Sequence, residues 1–234
     1  MPYRRLPNTN QARLRSLQQA VNSGYDIDLY SLAFSYKLWE NAKAMLVRYQ
    51  RALGESRQSS ENQFTRNKKL QEDAKMARLY VSHFIQVLNM CVQRNEIKLE
   101  AKKLYGLEPD NFAVPDLATD DNLFEWGKKI IDGEQQRLSQ GGVPIYNPPI
   151  GKVRVYYDIF AEGYNYQKVL QNNTARCIEN ISNLNKEVDK LILEIWDEVE
   201  KKYENLPPQE KINSCREYGV IYYYRKGESV PENE

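Results

Sequence analysis

The chain has 234 residues, and its 33 basic side chains nearly balance its 32 acidic ones, which gives a formal net charge of +1. This balance provides no overall attraction to nucleic acid or to an anionic membrane surface. One histidine and three dispersed cysteines exclude the usual histidine-rich metal centres and a zinc site of four cysteines. The odd cysteine count argues against a disulfide framework and predicts a reducing compartment. Residues 1–25 carry no secretory apolar run and no segment is long enough to span a bilayer, so we expect a cytoplasmic protein without membrane contact.

Apolar residues recur along most of the chain at steps of three and four, the period of amphipathic helices. The pattern predicts an all-α fold, an up-and-down bundle of four long helices (two long α-hairpins) with a short N-terminal helix, a crossover helix and a short C-terminal strand. We expect a single helical domain over 1–234. Its predicted parts are a first helical hairpin at 31–103, a crossover with one helix at 104–147, a second helical hairpin at 148–206 and a C-terminal tail with one strand at 207–234.

Capping and turn signals divide the first half of the chain. Asn8 and Gln11 have the spacing of a capping box, and Ser23-Gly24 predicts the end of the first helix. Ser31 is predicted to cap the second helix. The polar stretch GESRQSSENQFTRNKK at 54–69 predicts the turn of the first hairpin. The returning helix is predicted to bury a seam of alternating four- and three-residue steps, with a second row at sevens beside it: Met76, Tyr80, His83, Val87 and Met90, then Ala77, Phe84 and Cys91.

The second half follows the same logic. Asn122 with Glu125 predicts the start of the crossover helix, and Gly141-Gly142 predicts its end. The stretch QNNTAR at 171–176 predicts the second turn, and VIYYY at 220–224 predicts one strand. The second hairpin is predicted to bury two seams: Ile150, Val153, Tyr157, Phe160 and Tyr164, then Cys177, Ile181, Leu184, Val188, Leu191 and Ile195.

Short stretches carry a resemblance: MPYRRLPNT at 1–9, EWGKKIIDGEQ at 125–135 and EYGVIYYYRK at 217–226. They resemble a group of uncharacterised bacterial helical proteins, over most of the chain. The resemblance implies a helical fold and no site, because the group carries no assigned activity. The similar pentapeptides YQRAL (49–53) and YQKVL (166–170) leave open whether the two hairpins arose by duplication or are alike by chance.

No catalytic, cofactor-binding or metal-binding residue is predicted. A di-iron bundle needs two Glu-x-x-His pairs, whereas Tyr80 stands three residues before the only histidine, His83. We interpret His83 as a packed histidine on an apolar seam rather than a general base, and Cys177 and Cys215 as packed or exposed thiols. No glycine-rich phosphate loop is present. We favour a non-enzymatic protein without cofactor or metal, while an enzyme built from scattered Tyr, Arg and Glu residues stays open.

Seventeen tyrosines and an N-terminal arginine cluster are the most unusual features. Tyrosine is enriched at protein interfaces, and clustered tyrosines exceed what one helix seam or strand face can bury. This indicates a helical scaffold or protein-interaction protein, self-associating or bound to a protein partner, although these rings could also be covered within the monomer. The alternative is nucleic-acid or polyanion binding through the basic N-terminal segment. The candidate interaction residues are Arg4, Arg5, Arg13, Arg15, Tyr156, Tyr166, Tyr222, Tyr223 and Tyr224.

The N-terminal arginines have a possible partner within the chain, the acidic stretch 187–204. Residues 1–25 carry four positive and no negative side chains, whereas residues 187–204 carry seven acidic and three basic ones. We predict that the N-terminal segment packs against this acidic helix, with its arginines toward the carboxylates.

Overall fold

The computed structural model describes residues 3–26 and 31–224. The chain divides into two compact units: unit 1 is Met1–Gln58 with Ala175–Glu234, and unit 2 is Ser59–Thr174. The described residues are mostly helical, as predicted; that they form a single domain stays a prediction. Their elements in chain order are β1 (Tyr3–Arg4), α1 (Asn10–Asp26), α2 (Tyr36–Gln93), a 3₁₀ helix (Leu99–Tyr105), α3 (Asp120–Ser139), α4 (Ile150–Lys202), α5 (Pro208–Glu217) and β2 (Tyr222–Tyr223).

The two predicted hairpins are wrong, because α2 and α4 are each uninterrupted. The stretch 54–69, predicted as a turn, is helical throughout, and so is 171–176. Polarity alone does not end a helix: the two stretches hold one glycine and no proline, and their Glu, Gln, Lys and Arg residues have good helix propensity. The chain therefore forms two long helices, antiparallel within each unit, where a bundle of four was predicted.

Unit 1 packs α1, α5 and parts of α2 and α4 around one apolar core. Trp196 is fully buried in it, and the predicted seam from Ile181 to Ile195 of α4 is buried as expected. The α5 helix lies in the stretch 207–234, for which the sequence predicted a tail with one strand and no helix. Pro208 occupies the first helical position, where proline is well tolerated.

Helix starts differ from the predicted caps. The Thr9 hydroxyl accepts a hydrogen bond from the Ala12 N–H at the start of α1, and the Thr119 hydroxyl accepts one from the Asn122 N–H at the start of α3. The α2 helix begins at Tyr36. The predicted caps that are wrong are Asn8, Ser31 and Asn122.

The α1 helix continues through Ser23-Gly24, which was predicted as its end. The indole of Trp39 lies against Gly24, so that a Cβ there would stand 2.1 Å from Trp39 Nε1. That indole N–H donates to the Val21 carbonyl at 3.0 Å. Gly24 is therefore a position of close helix packing rather than a helix stop.

Unit 2 packs the 3₁₀ helix and α3 against α2 and α4. The predicted α4 seam holds, with Val153, Tyr157 and Phe160 buried. Of the two rows predicted on this part of α2, the one from Met76 to Met90 is wrong, because Met76, His83 and Met90 are exposed and Tyr80 and Val87 are half-buried. In the row beside it, Ala77 and Phe84 are buried as predicted and Cys91 is half-buried. Two apolar repeats lie one residue apart in this segment, and the core uses the one that contains Ala77 and Phe84. Its buried members are Ala74, Ala77, Val81, Phe84 and Leu88.

We expect the backbone to be most stable against local opening where the helices carry buried side chains. Neither 53–69 of α2 nor 171–180 of α4 contains a buried side chain. With little apolar burial to oppose local opening, backbone amides there should exchange about tenfold or more faster than amides in the cores. Hydrogen exchange read by mass spectrometry tests this by comparison with 77–92 and 184–199; equal protection would contradict it.

Candidate interaction surface

The basic N-terminal segment is bound to the acidic part of α4 in unit 1. β1 pairs antiparallel with β2. Arg4 Nη1 lies 2.6 Å from Asp197 Oδ1 and 3.2 Å from Glu200 Oε2. Arg13 donates to both carboxylate oxygens of Asp189, at 2.7 and 2.8 Å. The predicted packing of this segment on the acidic helix is confirmed for these two arginines.

Among residues 3–26 and 31–224, Arg5 and Arg15 form no ion pair with a carboxylate. The Arg5 guanidinium lies 5.9 Å from the centroid of the Tyr223 ring. Arg15 is exposed and forms no ion pair within the described part of the chain. The predicted basic surface is therefore half neutralised by carboxylates.

The C-terminal tyrosines differ in their surroundings. Tyr222 donates to Glu200 at 2.6 Å, and its pKa is raised, first by burial and then by this hydrogen bond. Tyr223 is exposed and Tyr224 half-buried. The run of three tyrosines is thus partly packed within unit 1 instead of forming one exposed surface.

Replacing Arg13 with alanine is expected to lower the free energy of unfolding by about 1–3 kcal/mol, because two charge-assisted hydrogen bonds largely shielded from water are lost. Arg15→Ala on the same helix is the matched control, with an expected change within about 0.5 kcal/mol. Urea denaturation followed by circular dichroism measures both. Equal losses would show that the Arg13–Asp189 pair does not stabilise unit 1.

A buried charged cluster in unit 2 was not predicted. Glu134 and Arg137 lie one turn apart on α3 and form hydrogen bonds of 2.9 and 2.8 Å. The Tyr105 hydroxyl donates to Glu134 and accepts from Arg137 Nε, and Arg137 also donates to the Val143 carbonyl. Burial, then the bond to Glu134, raises the pKa of Tyr105. These groups satisfy one another, so we interpret the cluster as structural. The available signal was the Glu-x-x-Arg spacing directly after Gly133.

Lys102 is a second buried charge in unit 2. Its Nζ donates to the carbonyls of Pro109 and Asn111, at 3.1 and 2.6 Å, and lies 4.1 Å from the centroid of the Phe112 ring. Burial lowers the pKa of Lys102. The side chain thus holds the loop that follows the 3₁₀ helix.

The free energy of unfolding should fall at alkaline pH as the Tyr157 hydroxyl loses its proton. Its hydroxyl donates to the Phe124 carbonyl at 2.8 Å, and burial raises its pKa from 10.0 to about 12. The folded state therefore holds this proton more tightly than the unfolded state, so the stabilisation is complete below pH 10 and is lost between pH 10 and about 12. Tyr157→Phe should cost about 1 kcal/mol at neutral pH and reduce the alkaline loss. Urea denaturation across this range measures both; an unchanged alkaline slope would contradict the assignment.

One side of the α2–α4 pair in unit 2 carries two rows of side chains, mostly apolar, that are exposed or only half-buried. On α4 these are Val155, Ile159, Tyr166 and Val169, all exposed. On α2 they are the residues of the wrongly predicted seam: Met76, His83 and Met90 are exposed, whereas Tyr80 and Val87 are half-buried against the core of unit 2. We call these two stripes the open face; its full membership is Met76, Tyr80, His83, Val87, Met90, Val155, Ile159, Tyr166 and Val169.

The predicted candidates Tyr156 and Tyr166 both lie at the open face. Tyr156 stacks on Tyr80 with ring centroids 4.4 Å apart and planes inclined by 6°. The Arg66 guanidinium lies 5.1 Å from the centroid of the Tyr166 ring. The structure therefore brings these two tyrosines to one face of unit 2 and places the other seven candidates in unit 1.

A groove of about 420 Å³ lies between the helices beside this face. Leu70, Ile159 and Tyr166 form its apolar part. Four charged side chains line it, and none forms an ion pair within residues 3–26 and 31–224. They are Arg66, Lys69, Asp73 and Glu162.

Across the residues the structure describes, no three His, Cys, Asp or Glu side chains are placed to hold a metal ion. No helix in this part of the chain is long and apolar enough to cross a membrane. Burial raises the pKa of the Cys91 and Cys215 thiols. His83, predicted to be packed, is exposed on the open face.

Comparison of the chain with protein-family models, with curated proteins and with solved structures finds no match. The open face and the N-terminal arginine contacts are therefore the features from which a function is inferred.

Proposed function

We propose that this chain is a helical protein-interaction protein and that the open face of unit 2 is its binding surface. The observation that carries the proposal is the exposure of apolar residues at helix-packing spacing on two adjacent helices. Contiguous exposed apolar surface beside charged groups is typical of interaction sites in soluble proteins. The open face supplies both.

The nucleic-acid alternative has weaker support. Arg4 and Arg13, half of the basic N-terminal cluster, bind carboxylates of the same chain. Phosphate groups would have to displace Asp197 and Asp189 to reach them. A protein partner needs no such rearrangement at the open face.

The test compares particle sizes in extracts of cells that naturally produce the chain. The open-face variant carries Val155→Lys and Ile159→Lys, and Ile178→Lys on exposed α4 surface of unit 1 is the control. We expect the wild type and the control to elute from a sizing column in a particle larger than one chain, and the open-face variant at the mass of one chain. An unchanged elution of the open-face variant would refute the proposal.

A further inference from the structure

The two stripes of the open face have the spacing of a helix–helix seam without a partner helix. Met76, Tyr80, His83, Val87 and Met90 alternate steps of four and three on α2. Val155, Ile159, Glu162, Tyr166 and Val169 do so on α4. Apolar residues in a 4–3 repeat are the pattern of helices that bury this row against another helix. Here the four apolar α4 side chains are 47–56% exposed.

The α4 stripe points away from the core of unit 2, and the α2 stripe lies beside the row that α2 buries in this core. On α4, the buried row of Val153, Tyr157 and Phe160 lies two positions before Val155 and Ile159. Two positions turn a side chain through about 200° around the helix axis. The 3₁₀ helix and α3 cover the buried row. An occupant of the open face would therefore pack on the side opposite α3.

Charge complementarity favours a second copy of the chain as this occupant. Around the groove stand two cations, Arg66 and Lys69, and two anions, Asp73 and Glu162, without ion pairs in the described part of the chain. A partner that carries charges of only one sign could pair with the two cations or with the two anions, but not with both. A twofold-related copy presents both signs and both stripes, so that each contact is made twice.

We propose that two copies of the chain associate through the open face, related by a twofold axis, with Arg66 and Lys69 of each copy facing Asp73 and Glu162 of the other. This rests on the proposed function and names its partner. Two α2–α4 pairs would then form a four-helix arrangement from two chains. Each stripe extends about 21 Å along its helix, so the face is at the low end of the size of stable interfaces.

Light scattering on purified protein at rising concentration tests the pairing. We expect the wild type to pass from the mass of one chain to that of two. Ile159→Lys should weaken dimerisation by at least about tenfold, since it places a charge at the interface centre, whereas Ile178→Lys should not. Circular dichroism verifies that each variant is folded; both positions are exposed, so neither charge is buried in the monomer.

Charge reversal gives a test that a merely structural effect would not pass. Lys69→Glu alone and Glu162→Lys alone should each weaken the dimer, and the two together should restore it, because each copy again meets the opposite sign. A wild-type protein that stays at the mass of one chain at all concentrations overturns the self-pairing. If the open-face variant is then still smaller than wild type in cell extracts, the proposed function stands with a different partner; if not, both fall.

Discussion

Glu134→Ala is expected to destabilise unit 2 by about 3–5 kcal/mol, because it leaves the buried Arg137 guanidinium without its carboxylate. Tyr105 also loses the acceptor of its hydroxyl proton. Both partners of the remaining network are buried, so water cannot readily replace the lost contacts. Hydrogen exchange of the α3 amides under native conditions measures the loss in unit 2.

The matched variant replaces the whole pair by apolar residues of similar size, Glu134→Leu with Arg137→Met. Because no charge then stays buried without a partner, we expect this double variant to be much closer to wild type than Glu134→Ala. A double variant as unstable as the single one would mean that the ion pair itself stabilises unit 2.

Gly133→Ala is the second substitution with a large expected effect. A Cβ at this position would lie 2.7 Å from the Leu104 carbonyl oxygen and 2.8 Å from Tyr105 Cα. Both are backbone atoms of the 3₁₀ helix, so relief requires a shift of the chain rather than a rotamer change. We expect destabilisation of about 1–3 kcal/mol even though alanine favours the helix.

Gly54→Ala is the control for Gly133→Ala. Gly54 is exposed inside α2, and a Cβ there would meet no atom within 4 Å. Alanine should therefore stabilise the chain by about 0.5–1 kcal/mol through helix propensity alone. Urea denaturation of both variants decides; the same sign of effect at the two glycines would contradict the packing role of Gly133.

On α4 in unit 2 the predicted seam of Val153, Tyr157 and Phe160 is the buried one, although a second, exposed apolar row runs along the same part of the helix. On α2 two rows lie one residue apart and both were predicted to be buried, whereas the structure buries only the row that contains Ala77 and Phe84. A 4–3 repeat indicates that a helix buries a seam, but it does not tell whether the partner belongs to the same chain. For this reason the α2 row from Met76 to Met90 was predicted to be buried, whereas most of it is exposed in the structure.

Charge patterns predicted contacts only where one segment carried a clear excess of one sign. The basic N-terminus and the acidic 187–204 stretch predicted the contacts of Arg4 and Arg13. The Glu134–Arg137 pair was missed because two of its four hydrogen-bonding groups come from Tyr105 and Val143, which no spacing rule connects to α3. The polar stretches 54–69 and 171–176 were wrongly predicted to be turns, because most of their residues are compatible with a helix and no proline interrupts them.

Hydroxyl-radical footprinting of the purified chain at increasing concentration tests the self-association surface most directly. Val47 and Ile178 are exposed in unit 1 and serve as internal references for Val155, Ile159 and Val169. The twofold pairing predicts that oxidation of the three open-face residues falls as concentration rises, while that of the references stays constant. Oxidation of the open-face residues that does not change relative to the references would contradict it.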